Sequence, residues 1–254
     1  MTVNQAIEGK LRNLRIWNIA VGIVLAVQAV LMAILTNNFS LPVTATFMEG
    51  PPGSAASLHH IWSIQTGWGV FAFMAISALA LLLIASPWVF PWYKRNLLQN
   101  RNPGRWIEYF FSASIMIVLI AQITGISDIG ALVTIFGINA CMILFGALQE
   151  KYEKPGKPGW IPFWFGSFAG IIPWIAILVY LIAPGVSATP PGFVYAIFIC
   201  LFIFFNCFAV NMILQYKKIG AWKDYLYGEK VYILLSLTAK SLLAWLVFAN
   251  ILVL

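Results

Sequence analysis

Apolar residues gather into seven stretches, at about 16–36, 61–86, 106–126, 129–148, 162–183, 191–214 and 231–254, separated by short polar segments. Each approaches or exceeds the roughly 20 residues that a helix needs to cross a ~30 Å hydrocarbon core. The separators carry helix-breaking punctuation: Asn37-Asn38, Pro51-Pro52-Gly53, Pro87, Pro91, Pro103-Gly104, Pro155-Gly156, Pro158-Gly159 and Pro190-Pro191-Gly192. Ser127-Asp128 leaves the third and fourth stretches a very tight turn, with a carboxylate placed to cap the fourth helix. The first loop, SLPVTATFMEGPPG, alternates in polarity and predicts a short β-hairpin. The pattern predicts an all-α membrane protein, a bundle of seven transmembrane helices forming a single domain over 1–254.

Composition agrees. Of 254 residues, 61% are hydrophobic and 9% charged, which leaves no room for a sizeable water-soluble domain. The start, with Lys10, Arg12 and Arg15 before an apolar run, resembles that of a signal peptide. The run is long enough to span and no A-x-A site follows, so it is expected to be a retained first helix. Cys141, Cys200 and Cys207 all fall inside apolar stretches with no C-x-x-C pair, which predicts buried small side chains and neither zinc nor disulfides.

A net charge of +7 raises the possibility of a nucleic-acid partner, but the distribution of that charge speaks against one. Lys10, Arg12 and Arg15 precede the first stretch. Lys94, Arg95, Arg101 and Arg105 lie in the second loop, Lys151, Lys154 and Lys157 in the fourth, and Lys217, Lys218, Lys223 and Lys230 in the sixth. These are fourteen of the fifteen basic residues, and all fall on one side of the predicted bundle. By the positive-inside rule that side, with the N-terminus, is cytoplasmic, in a cell membrane crossed several times. Trp88, Trp92, Tyr93, Trp106, Trp160, Trp164, Trp222 and Tyr225 lie near the same boundary and read as an interfacial belt.

The fifteenth basic residue is Lys240, in the middle of the last stretch. At about 1.5 Å per residue it lies roughly 15 Å beyond Lys230, near the centre of the hydrocarbon. Insertion there costs about 2.5–3.5 kcal/mol, so the residue needs a partner or a use. Among the acidic residues, Glu8, Glu150, Glu153, Asp224 and Glu229 read as inner-surface groups, and Glu49 and Asp128 as outer ones. Glu108, just inside the third stretch, remains as the intramembrane partner.

Side chains lean toward a helix N-terminus, so Lys240 is expected to reach toward the depth of Glu108. Ser236 and Ser112 sit one turn from Lys240 and Glu108 and offer hydroxyls to the pair. On these residues alone three uses stay open: a structural ion pair, a transporter's ion pair, or attachment of a chromophore such as retinal. Leu119, eleven residues after Glu108, is apolar where light-driven pumps place a second carboxylate. A pump or channel therefore stands as an alternative to a sensor, and a retinal-free transporter as a further one.

Long strings nonetheless resemble heliorhodopsins. They are RWIEYFFSASIMIVLIAQITGISDI, FGINACMILFGALQEKY, PFWFGSFAGIIPWI, PGFVYAIFICLFIFFNCFA, SLTAKSLLAW and the first-loop LPVTATFMEGPPG, and the similarity covers nearly the whole chain. The resemblance implies an inverted bundle, a sensor rather than an enzyme, with all-trans retinal bound to Lys240 as a protonated Schiff base and Glu108 as counterion. It implies pocket positions at Tyr109, Asn139, Met142, Ile143, Gly146, Trp164, Pro173, Trp174, Phe205 and Asn206. It also implies a cytoplasmic polar cluster of Gln28, Ser77, Tyr93, Asn102, Arg105, Trp106 and Glu150. A slow photocycle without net ion transport, a homodimer formed through the first loop and a cytosolic signalling partner follow from the same resemblance. Gly166-x-x-x-Gly170 offers close helix contact, within or between chains.

One departure stands out. Where familiar heliorhodopsins carry histidines in the first and second helices, this chain has Leu25 and Leu81. Its two histidines, His59 and His60, are expected at the outer end of the second helix. A proton released near Lys240 is then expected to stay with Glu108, Glu150 or local water.

Overall fold

The computed structural model describes residues 3–182 and 189–252. The upper bounds 183 and 254 of two predicted spans lie outside the described residues. Among the described residues, seven helices are long and apolar enough to cross a membrane. They are α1 (Val3–Leu35), α2 (Thr66–Ala85), α4 (Pro103–Ile123), α5 (Ile129–Tyr152), α6 (Ile161–Leu181), α7 (Gly192–Tyr216) and α8 (Tyr225–Val247). A short helix, α3 (Phe90–Leu97), a hairpin of β1 (Ser40–Met48) and β2 (Ala56–Gln65), a 3₁₀ turn at Gly220–Lys223 and a π-helical turn at Phe248–Leu252 complete the described elements.

The spans pack in chain order around a ring, with α1 against α8 closing it. The α6–α7 seam is the most sparsely packed. In the membrane-spanning window of α4, 61% of residues are buried, against 17% for α7. α4 is thus the central helix, and a side chain on it meets several neighbours. It starts where Asn102 accepts a hydrogen bond from Arg105 N at 3.1 Å and Pro103 takes the first turn, where no amide donor is needed. It ends at Gly125, whose φ of 102° lets Gly125 N and Ile126 N fold back on Gln122 O and Ala121 O. Asp128 then accepts from Ala131 N at 2.9 Å and caps α5, as the tight turn predicts.

The hairpin corrects the predicted second span. Residues 61–65 are not helical; they belong to β2, which pairs antiparallel with β1 from Ser40↔Gln65 to Met48↔Ala56. Cross-strand hydrogen bonds to β1 satisfy the backbone of ASLHHIWSIQ, where an isolated apolar run would have favoured helix. His59 and His60 therefore sit on β2 rather than on a helix, bonded to Ser57 and Ser63. Thr44 N, next to a register irregularity, donates to Ser127 O at 2.8 Å and ties the hairpin to the α4–α5 turn. α3 was not foreseen: its eight residues are too short and too polar for a span, yet Tyr93 and Leu97 are buried.

The predicted aromatic belt divides. Trp88 and Trp164 are exposed, at 87% and 64%. Tyr93, Trp106 and Tyr225 instead turn inward, where buried polar groups bond the two phenol oxygens and the indole nitrogen. Gly166 and Gly170 both face α5. A Cβ would come within 3.1 Å of Phe145 at the first and 2.4 Å of Met142 Sδ at the second, so this motif packs neighbours within the bundle. The cysteines are free and, against expectation, none is buried: Cys141 is exposed, and Cys200 and Cys207 are half-buried.

Candidate functional site around Lys240

Lys240 is 3% exposed. Its Nζ stands 3.2 Å from Glu108 Oε1, donates to Ser236 Oγ at 2.5 Å, and lies 5.0 Å from the centre of the Tyr109 ring. Glu108 Oε1 also accepts from Ser77 Oγ and Ser112 Oγ, each at 2.5 Å. The spacing explains the assembly. Ser236–Lys240 and Glu108–Ser112 are i, i+4 pairs on facing sides of α8 and α4, and α2 adds Ser77 from the third side. A buried ion pair whose carboxylate also accepts hydrogen bonds from hydroxyls is the arrangement in which Coulomb attraction best offsets desolvation.

Lys240 Nζ borders a cavity of about 140 Å³. Its other walls are almost entirely apolar, with Trp106, Met142, Phe205 and Phe208 among them. Gly146 leaves room for Trp106, since a Cβ there would fall 2.5 Å from the indole. One end is thus a primary amine with a paired carboxylate, and the remainder suits a flat hydrocarbon. These residues fit an apolar aldehyde condensed with the amine.

Of the sequence-predicted pocket positions, Tyr109, Met142, Ile143, Gly146 and Phe205 line this cavity together with Ser236 and Lys240. Pro173 and Trp174 are buried behind it, Trp174 packing on Phe205 with ring centres 5.4 Å apart. Asn139 is buried and donates to Ser114 Oγ at 3.1 Å. Trp164 faces out of the bundle, and Asn206 is exposed, its amide turned back to Phe202 O.

A second buried polar group lies toward the basic end. Arg105 NH2 donates to Glu150 Oε1 at 2.7 Å and its NH1 pairs with Glu229. Asn102 N and Trp106 Nε1 donate to Glu150 Oε2 at 2.8 and 2.5 Å, and Tyr225 OH to Glu150 Oε1 at 2.7 Å. Asn102 Nδ2 donates to Glu229 Oε2 at 2.6 Å. The guanidinium lies 3.8 Å from the Tyr232 ring centre. Tyr93 lies beside this group on α3, outside the spanning helices. Burial first, and the Glu229 charge next, push its phenol well above the ordinary value, against a lowering by the Asn18 hydrogen bond.

The structure gathers Tyr93, Asn102, Arg105, Trp106 and Glu150 here, and gives Ser77 to Glu108 instead. Gln28 stands apart, accepting from Trp245 Nε1 at 3.2 Å. Glu150 and Glu229, both read as inner-surface groups, are corrected from surface to core at 4% and 1% exposed, and Glu229 joins the cluster unannounced. Sequence reasoning passed over it because its neighbours are basic loop residues. The signal was its helical phase, since Glu229, Tyr232, Ser236 and Lys240 fall at i, i+3, i+7 and i+11 on one face of α8.

A lysine buried within seven spanning helices, paired with a carboxylate and bordering an apolar cavity, defines a rhodopsin-type membrane protein. The model of the family described as Heliorhodopsin matches residues 14–252, and the chain belongs to that family. It is accordingly a multi-pass, retinal-binding, light-sensing protein. No curated protein matches the sequence.

Proposed function

We propose that Lys240 carries all-trans retinal through a protonated Schiff base, with Glu108 as its counterion, in a sensor with a slow photocycle and no net ion transport. The observation that carries this is the 3.2 Å Lys240–Glu108 pair beside the apolar cavity. Bound there, retinal supplies a light-driven isomerisation. The chain's own residues do the rest. Ser236 orients the lysine nitrogen, Ser77 and Ser112 fix Glu108, and the aromatic and methionine walls exclude water. Beyond Glu108 toward the hairpin end, α4 presents Leu119, buried and apolar, where a transport path needs an ionisable group. That supports sensing over pumping.

In this reading residues 1–254 form one retinal-binding domain with its basic end in the cytoplasm of a cell-membrane protein. The hairpin, with Phe47, Met48, Leu58 and Trp62 exposed, meets a second copy in a homodimer. The signal leaves at the basic end, toward a cytosolic partner. Absorption spectra of the purified protein with and without all-trans retinal test the reading. A visible band that forms in the wild type and not in Lys240→Ala supports it. No band, or a band that survives in the variant, overturns it. A sustained light-driven current in vesicles would overturn the sensor assignment.

A further inference from the structure

At the basic end of the bundle, α4 and α5 leave a groove of about 500 Å³ on their lipid-facing side. It is separate from the Lys240 cavity, although Trp106 lines both. Helical phase builds its long walls. Ile107, Phe110 and Phe111 fall at i, i+3 and i+4 on α4, and Leu144, Ala147 and Lys151 at i, i+3 and i+7 on α5. Ile107, Phe111 and Leu144 are exposed on helices that a bilayer surrounds. From Pro103 to Phe111 the groove follows α4 for about 12 Å.

Its mouth at the basic end holds two cations, Arg101 and Lys151. Arg101 NH2 donates to Lys151 O at 3.1 Å, which holds the guanidinium at the last turn of α5. Both residues are exposed, and among the described residues neither pairs with a carboxylate. Other cations at this end do: Lys10 with Asp224, Lys94 with Glu8, and Arg105 with Glu150 and Glu229. Glu150 also borders the groove, but it is buried, and Arg105, Trp106, Tyr225 and Asn102 N occupy its oxygens. Two like charges held at one mouth repel unless an anion joins them.

We infer that this groove holds an anionic phospholipid, its phosphate between Arg101 and Lys151 and one acyl chain along Ile107, Phe111 and Leu144. A guanidinium fork matches phosphate oxygens, and the ammonium adds a point charge. A free phosphate answers only the mouth, whereas a lipid fills the apolar walls as well. A zwitterionic lipid brings its own cation to a mouth that already holds two. Each basic residue near an anionic lipid is worth roughly fivefold in affinity, so the pair gives about 25-fold. The chain also packs against Trp106, so the lipid braces a wall of the Lys240 cavity from outside it.

Native mass spectrometry of the full-length protein in detergent tests this without reference to retinal, by titration with phosphatidylglycerol, phosphatidylcholine or inorganic phosphate. One phosphatidylglycerol should bind about 25-fold more tightly than phosphatidylcholine, and phosphate should not displace it. Arg101→Gln with Lys151→Gln should abolish the preference. Lys217→Gln with Lys223→Gln removes the same charge from exposed positions outside the groove and should leave it intact. Ala147→Phe keeps both cations but fills the groove, and should weaken both lipids. Equal binding of the two lipids by the wild type, displacement by phosphate, or an unchanged preference in the first double variant overturns the assignment. So does an equal loss in the second double variant, or wild-type affinity in Ala147→Phe, since either reduces the site to surface charge. If Arg101→Gln does not fold, Lys151→Gln alone carries the test: a loss of about fivefold is expected, and unchanged affinity overturns the inference.

Discussion

Two buried ionic groups sit one above the other in this bundle, and they are built differently. At Lys240 one carboxylate faces one amine, with small hydroxyls around them and an apolar cavity alongside. At Arg105 one guanidinium holds two carboxylates, and an amide, an indole, a phenol and aromatic faces fill the remaining directions. The first group leaves its amine beside space for another molecule. The second ties α4, α5 and α8 together and leaves only a void of water size within the bundle. Changes to the first should therefore alter chemistry more than folding, and changes to the second the reverse.

The largest expected effect is that of Lys240→Ala: complete loss of the visible pigment, read from an absorption spectrum after adding all-trans retinal. Glu108→Gln comes next. At 3.2 Å the lost attraction is roughly 5 kcal/mol at an effective dielectric of about 20. The visible band should give way to a near-ultraviolet band at neutral pH, and an unchanged spectrum there would remove Glu108 from the counterion role.

Arg105→Gln probes the other side of the comparison. It leaves a buried carboxylate unpaired and should lower stability by about 3–5 kcal/mol. The visible band should keep its position. Thermal unfolding in detergent measures the first quantity and a spectrum the second. A band that moves as far as in Glu108→Gln, with stability intact, would erase the distinction between the two groups.

The two groups also differ in how well the sequence announced them. Lys240 and Glu108 stand out because each is an ion inside an apolar stretch, and hydropathy registers that contrast. Arg105, Glu150 and Glu229 stand at helix ends, where a charge is ordinary and only packing decides whether it faces water. Arg105 and Glu150 entered the polar cluster through family resemblance, whereas Glu229 needed the structure. The hairpin divides in the same way. The alternation of β1 lies in a loop and is readable, but β2 runs into an apolar stretch that reads equally well as helix until its partner strand is placed. Trp164 and Asn206 show the limit at the cavity, because in a helix apolar on every side nothing in the sequence marks which face turns to lipid.

The smallest expected effect comes from Tyr93, at the edge of the Arg105 group. Asn18 Nδ2 donates to its hydroxyl at 3.4 Å, a long bond, so Tyr93→Phe should cost at most about 1 kcal/mol at neutral pH. Its pH dependence is more telling. Burial raises the phenol in the folded protein, so the unfolded chain ionises first as pH climbs past about 10. Unfolding then releases a proton, and stability present below that pH is lost above it. Tyr93→Phe removes this contribution, so the fall in unfolding temperature above about pH 10 should be shallower than in the wild type. Parallel alkaline limbs in the two proteins would mean that the Tyr93 hydroxyl reaches water, and the closed edge of the Arg105 group would have to be redrawn at Asn18.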